Sequence, residues 1–149
     1  MNRKLLPPES CIQLASNFIG LQEINGAENN PIIMDMFGQI GHKWVKDDET
    51  AWCSCFVNYI ASELNLKRSG RLNARSWLNV GEDVRFPKVG DVVIFWRESE
   101  NSWKGHVGFF AGYTEKGDIF CLGGNQGNEV CISTYPKERL LGFRRLLKV

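Results

Sequence analysis

Thr50-Ala51-Trp52-Cys53-Ser54-Cys55-Phe56-Val57-Asn58-Tyr59-Ile60 reads as the opening of a helix that carries a thiol in its first turn. Thr50 is the expected N-cap, because its side-chain oxygen can accept one of the unpaired N–H groups at a helix start. That places Cys53 at about the third helical position. Cys53, Phe56, Val57, Ile60 and Leu64 then recur at helical spacing and make one apolar face. Such a helix is buried along its length, with its N-terminus open at one end. Free N–H groups and the positive end of the helix dipole favour the thiolate there, and the thiolate is the nucleophile. The acidic run Asp47-Asp48-Glu49 works against this. A cationic partner offsets it, and His106 is the candidate.

Working outward, 149 residues suffice for one domain with a real core, and the whole chain reads as a single domain, 1–149. The net charge of +1 gives no reason to expect a nucleic-acid partner or an anionic membrane surface. No apolar run is long enough for membrane insertion. The basic start Met1-Asn2-Arg3-Lys4-Leu5-Leu6-Pro7-Pro8 is interrupted by prolines before a signal-peptide core develops, so no standard secretion signal is expected. The five cysteines are an odd count with no Cys-x-x-Cys spacing, which argues against a disulfide framework or a zinc ribbon.

Before the thiol-bearing segment, Pro8 to Ile19 reads as a helix, and Asn30-Pro31 opens another, with Asn30 as N-cap and Pro31 at the first position. After it, Ala74 to Val80 is a short helix stopped by Gly81. Beyond Pro87 the period changes to that of strands: Val92–Trp96, His106–Tyr113, Ile119–Leu122, Val130–Ser133 and Leu141–Leu147. Gly123 to Asn128 reads as a tight Gly-rich turn. Helices followed by an antiparallel meander make an α+β fold, with N-terminal helices packed on a sheet of five to six strands.

A cysteine nucleophile needs a base, and the base needs a third group to fix its tautomer. Of the two histidines, His106 opens a strand between glycines, whereas His42 sits in a polar connector beside Lys43. The turn holding Asn125 returns toward the strand end where His106 begins, so Asn125 is the expected third residue. The catalytic set is then Cys53, His106 and Asn125, side by side at one end of the sheet, with the Cys53 backbone N–H as an oxyanion donor. Cys55 faces away from Cys53 and reads as core. A Cys53–Cys55–His106 metal site lacks a fourth ligand and the usual zinc spacing, so no metal or other cofactor is expected. Trp77, Trp96 and Trp103 either line a groove or divide into a core pair and an exposed Trp103. Cys121 and Cys131 lie symmetrically about Gln126, which makes them cross-strand neighbours in a regular hairpin.

Trp52-Cys53-Ser54-Cys55-Phe56-Val57, Pro87-Lys88-Val89-Gly90-Asp91-Val92-Val93, Gly105-His106-Val107-Gly108 and Gly123-Gly124-Asn125-Gln126 follow one another in an order that resembles the papain-like NlpC/P60 and CHAP cell-wall hydrolases. The likeness is nearest to a branch of small single-domain proteins of bacteria and phages, and it covers nearly the whole chain. It implies a papain-like fold and cleavage of amide bonds in peptidoglycan through an acyl-enzyme, by endopeptidase or amidase action, without a metal. Within it, Trp52, Gly105 and Gln126 are the positions expected to contribute oxyanion or substrate contacts. Two departures stand out. Many CHAP domains carry Glu two residues before the Asn, where this chain has Gly123, and typical NlpC/P60 members use a second His in the place of Asn125.

The rival functions are a non-catalytic wall- or protein-binding module, and a cysteine acyltransferase or deamidase on the same scaffold. A degenerate module should have lost the Cys or the His, and this chain keeps both; a lipid-acting relative should add an apolar helix. The expected protein is a monomer made in the cytoplasm. It reaches the wall by holin release or by a secretion route that needs no signal peptide; contact-dependent delivery would imply a cognate immunity or inhibitor protein.

Overall fold

The structure, a computed structural model, describes residues 6–24, 30–41 and 52–149. The expected Thr50 cap, His42 and the run Asp47-Asp48-Glu49 lie outside the described residues. Three α-helices, α1 (Pro7–Ser16), α2 (Pro31–Gln39) and α3 (Cys53–Glu63), precede the strands. These are β1 (Glu82–Val84), β2 (Val92–Trp96), β3 (Gly105–Tyr113), β4 (Ile119–Gln126), β5 (Glu129–Tyr135) and β6 (Leu140–Arg145). They form one six-stranded sheet in the order β1-β6-β2-β3-β4-β5, with every paired neighbour antiparallel. This is the expected α+β architecture. The edge strand β1 was not foreseen, since its Glu82 and Asp83 are exposed and carry no alternation.

Local chemistry explains the start of α2 most directly. The Asn30 side chain accepts the Ile32 N–H at 2.9 Å and Pro31 follows at the first helical position. Helix α3 starts later than expected: Trp52 is its N-cap, without a side-chain cap bond, and Cys53 is the first helical residue. Its apolar face, including Phe56, Val57 and Ile60, is fully buried in the main core with Ile94, Val107, Phe109 and Leu122 of the sheet. The segment at Ala74–Asn79 is 3-10 rather than α, a long run for that form.

The stretch Pro87 to Asp91 ties the sheet to α1. Asp91 is buried; its carboxylate accepts the Lys88 N–H at 2.7 Å and two bonds from Arg145, at 3.0 and 2.7 Å. Gly90 has φ +101°, and a Cβ there would collide with the carbonyl group of Pro8. Gly90→Ala combines a disfavoured backbone conformation with overpacking against a rigid helix start. It is expected to destabilise the protein by about 2–3 kcal/mol, read as a lower urea midpoint at unchanged slope.

The Gly-rich segment is mostly strand. Strand β4 runs on to Gln126, and the chain reverses only at Gly127 and Asn128, whose φ values are +61° and +64°. Positive φ at both central residues is the two-residue hairpin turn that matches strand twist. A register shift between Gly123 and Gln126 gives β4 an extra residue. It pairs Cys121 with Ser133 and Gly123 with Cys131, so the two cysteines are not direct cross-strand partners. All five cysteines are free thiols.

Candidate active site

Helix α3 packs its first turn on the start of β3, which sets Cys53 against the backbone of the residue that follows His106. Cys53 is the first residue of α3 and His106 the second of β3, each 5% exposed. The Cys53 sulfur interacts with the backbone N–H of Val107, the residue after His106. Burial nevertheless pushes the Cys53 thiol above its usual range; the N–H groups of Val107, Ser54 and Cys53 and the charge of Arg97 only partly oppose it. Burial likewise depresses His106, to about 4, with the Gln126 hydrogen bond opposing and the charges of Arg97 and Arg139 assisting. Burial thus favours the neutral form of each group.

The side chain on the imidazole is Gln126, not Asn125. His106 Nε2 lies 2.9 Å from Gln126 Oε1. The amide cannot be turned round, because its nitrogen donates to the carbonyls of Cys121 at 3.1 Å and Cys131 at 2.6 Å. The same Oε1 also accepts the Tyr135 hydroxyl at 3.1 Å. An oxygen facing Nε2 requires the proton to sit there, which leaves Nδ1 as the unprotonated base. Tyr135 further stacks on the imidazole, with centroids 5.1 Å apart, and Phe95 stacks on Tyr135 at 4.5 Å. The ring is held by one hydrogen bond and one aromatic face.

Gly123 explains why Gln126 can reach. A Cβ at position 123 would stand 2.9 Å from Gln126 Oε1 and 3.3 Å from His106 Nε2. The side chain missing at Gly123 thus leaves the space that the Gln126 amide fills. Asn125 sits on the bulge at φ +58°, half-buried, and its side chain makes no hydrogen bond among the described residues. It lines a polar recess of about 280 Å³ together with His106 and Gln126.

The other expected contact residues divide. Trp52 is fully buried and donates to Glu23 Oε1 at 2.6 Å, so it builds the core under the site and is not open to a substrate. Gly105 lines a groove of about 400 Å³ that reaches Cys53. Trp77 is core, its indole N–H bonded to the buried Ser54 hydroxyl at 2.9 Å. Trp96 is half-buried, and Trp103, 74% exposed, stands on the groove. Arg75 shapes the groove wall by donating to the carbonyls of Lys104, Glu100 and Ser99. Ser54 and Asn58 hold the Arg71 carbonyl, at 2.6 and 3.0 Å, just before Leu72, Asn73 and Ala74 on the groove. Cys55 is buried in the core. Among the described residues there is no cluster of three or more side chains able to hold a metal ion.

A neutral pair has a pH signature. Alkylation of Cys53 by iodoacetamide should rise about tenfold per pH unit between roughly pH 6 and 9, because the thiolate is scarce throughout. A rate flat from about pH 5 to 8 would instead reveal a preformed thiolate–imidazolium pair. His106 also sets an acid limit on stability. Its folded value lies below the usual 6.5, so between about 6.5 and 4 the unfolded chain binds the extra proton. Stability contributed by the neutral ring is complete above that window and is lost as pH falls through it.

The sequence profile of the CHAP domain family matches residues 45–125. Among solved structures, NlpC1 from Trichomonas vaginalis superposes with a TM-score of 0.62 at 17% identity, covering 99% of this chain and 47% of that one. This chain therefore spans about half the length of that protein, and the likeness is one of fold. No curated protein sequence gives a significant match.

Proposed function

The chain belongs to the CHAP domain family, within the NlpC/P60–CHAP superfamily of papain-like cell-wall cysteine hydrolases, and from that premise we propose that it cleaves an amide bond of peptidoglycan with Cys53 as nucleophile and His106 as base. The observation that carries the reading is the fixed imidazole: Gln126 holds Nε2–H, so the ring's free lone pair is Nδ1. As the sulfur attacks the carbonyl carbon, Nδ1 takes the thiol proton. The oxyanion is met by the Cys53 backbone N–H at the helix start. The imidazolium returns its proton to the departing amine as the C–N bond breaks, leaving a thioester. Water, deprotonated by Nδ1, then hydrolyses the thioester and frees the thiol. Burial favours the neutral form of both groups, which suits proton transfer in step with attack.

The test is mass spectrometry of purified peptidoglycan incubated with the protein, with Cys53→Ala as control. The reading expects new amine and carboxyl termini that the variant does not make. Termini within the peptide identify an endopeptidase, and release of the peptide from muramic acid identifies an amidase. Absence of new termini from any wall preparation would leave a non-catalytic binding module in its place.

A further inference from the structure

Two guanidinium groups flank the reacting pair without a carboxylate of their own. Arg97 and Arg139 each line both the groove that reaches Cys53 and the polar recess that holds His106. Both are near enough to act on the His106 charge, and Arg97 acts on Cys53 as well. Arg139 is oriented: its Nε donates to the Trp96 carbonyl at 3.0 Å, and its guanidinium carbon lies over the Trp96 and Tyr135 rings, 5.5 and 5.9 Å from their centroids. That leaves its terminal nitrogens for another acceptor. Among the described residues, neither arginine meets an acidic side chain. Glu98, on the groove wall, is engaged by Lys104 at 2.7 Å, and buried Asp91 by Arg145.

We propose that Arg97 and Arg139 form a carboxylate-binding pair that selects substrates bearing a free carboxylate beside the scissile amide. This rests on the peptidoglycan reading above and narrows it to an acidic peptide. The planar fork of a guanidinium matches a carboxylate, and two such groups beside a buried, neutral Cys–His pair make the groove favour anions. The charge is placed where it can hold a substrate's acidic group, and the Glu98 carboxylate on the groove wall is paired with Lys104 instead.

A probe that needs no substrate separates the proposal from the reading it rests on. Iodoacetate and iodoacetamide attack the same thiolate, so their rate ratio at Cys53 cancels any change in thiol acidity and reports attraction for the carboxylate. Relative to N-acetylcysteine at the same pH and salt, the ratio should be about tenfold higher or more in the wild-type protein. In the Arg97→Gln, Arg139→Gln double variant it should fall to within about twofold of the small thiol. The second arm compares native peptidoglycan with peptidoglycan whose carboxyl groups have been amidated with carbodiimide and ammonia. The wild type should cleave the native wall about tenfold faster or more, and the double variant should cleave both at one low rate. Amidation spares phosphodiesters, so a loss of cleavage on amidation points to carboxylates and not to wall phosphates. A wild-type alkylation ratio equal to that of N-acetylcysteine overturns the proposal, as does a double variant that keeps its preference. Wall cleavage without either discrimination sinks the arginine pair alone. A high, arginine-dependent ratio with no cleavage of any wall sustains the pair and sinks the peptidoglycan reading.

Discussion

Cys53→Ala is expected to lose peptidoglycan hydrolysis by about 10⁴-fold or more while the protein stays folded. The attacking atom is removed, and neither the imidazole nor the oxyanion donors can form the thioester without it. The fold should tolerate the change. Cys53 sits at the end of α3 and not in its middle, and losing one sulfur there costs about 1–2 kcal/mol at most. Cys55→Ala is the matched control, since it removes the same atom from the same helix but from the core side. It should keep most of the activity. Release of termini by Cys53→Ala near the wild-type rate would end the nucleophile assignment.

Gln126→Ala should lower turnover by about 10²–10³-fold with little change in KM. Without the amide oxygen, the proton of the neutral ring is free to move to Nδ1, and the base is then absent in part of the population. Asn125→Gly, by contrast, should turn over near normally, since Gly accepts the positive φ and the imidazole's hydrogen bond among the described residues is to Gln126. Gln126 also satisfies two buried carbonyls, so a loss of activity in Gln126→Ala could be a loss of structure. A second change separates these. Gly123 stands against both Gln126 Oε1 and His106 Nε2, so Gly123→Glu in the Gln126→Ala background places a carboxylate in the vacated space. It should restore much of the turnover without restoring the bonds to Cys121 and Cys131. A double variant as slow as Gln126→Ala, with its melting temperature unchanged, would mean that ring orientation is not what the position supplies.

The strands were legible because β-branched and aromatic runs such as Val92–Trp96 have few alternatives. Asn30-Pro31 was legible because a cap followed by a proline has a local chemical meaning. The helix that carries Cys53 in its first turn and the strand that begins beside His106 could be read from their setting, although the helix start, expected to be open, is buried. The partner of the imidazole could not be read as easily. Reading residues 123 to 128 as one turn removed the strand parity that decides whether Asn125 or Gln126 faces His106. The available signal was Gly127-Asn128, a dipeptide suited to a two-residue turn, which extends β4 to Gln126. The bulge that shifts the register at Gly123 has no such local mark. Tyr135 and the arginine pair were also missed. Each reaches the site from a different strand end or loop, and only the sheet order β6-β2-β3-β4-β5 brings them together. Trp52 was misplaced for a simpler reason: adjacency to a nucleophile in sequence does not decide which side of a helix start a ring occupies.

The mechanism depends on a neutral imidazole whose proton is held on Nε2 by Gln126. Nitrogen-15 NMR of histidine-labelled protein measures this directly, and the chain has only two histidines, so His42→Gln leaves His106 alone in the spectrum. At about pH 6 the account predicts a ring with one protonated nitrogen, Nε2, and an unprotonated Nδ1, moving to the Nδ1–H form or to a mixture in Gln126→Ala. A proton on Nδ1 in the otherwise unchanged protein, or a doubly protonated ring at that pH, would contradict it.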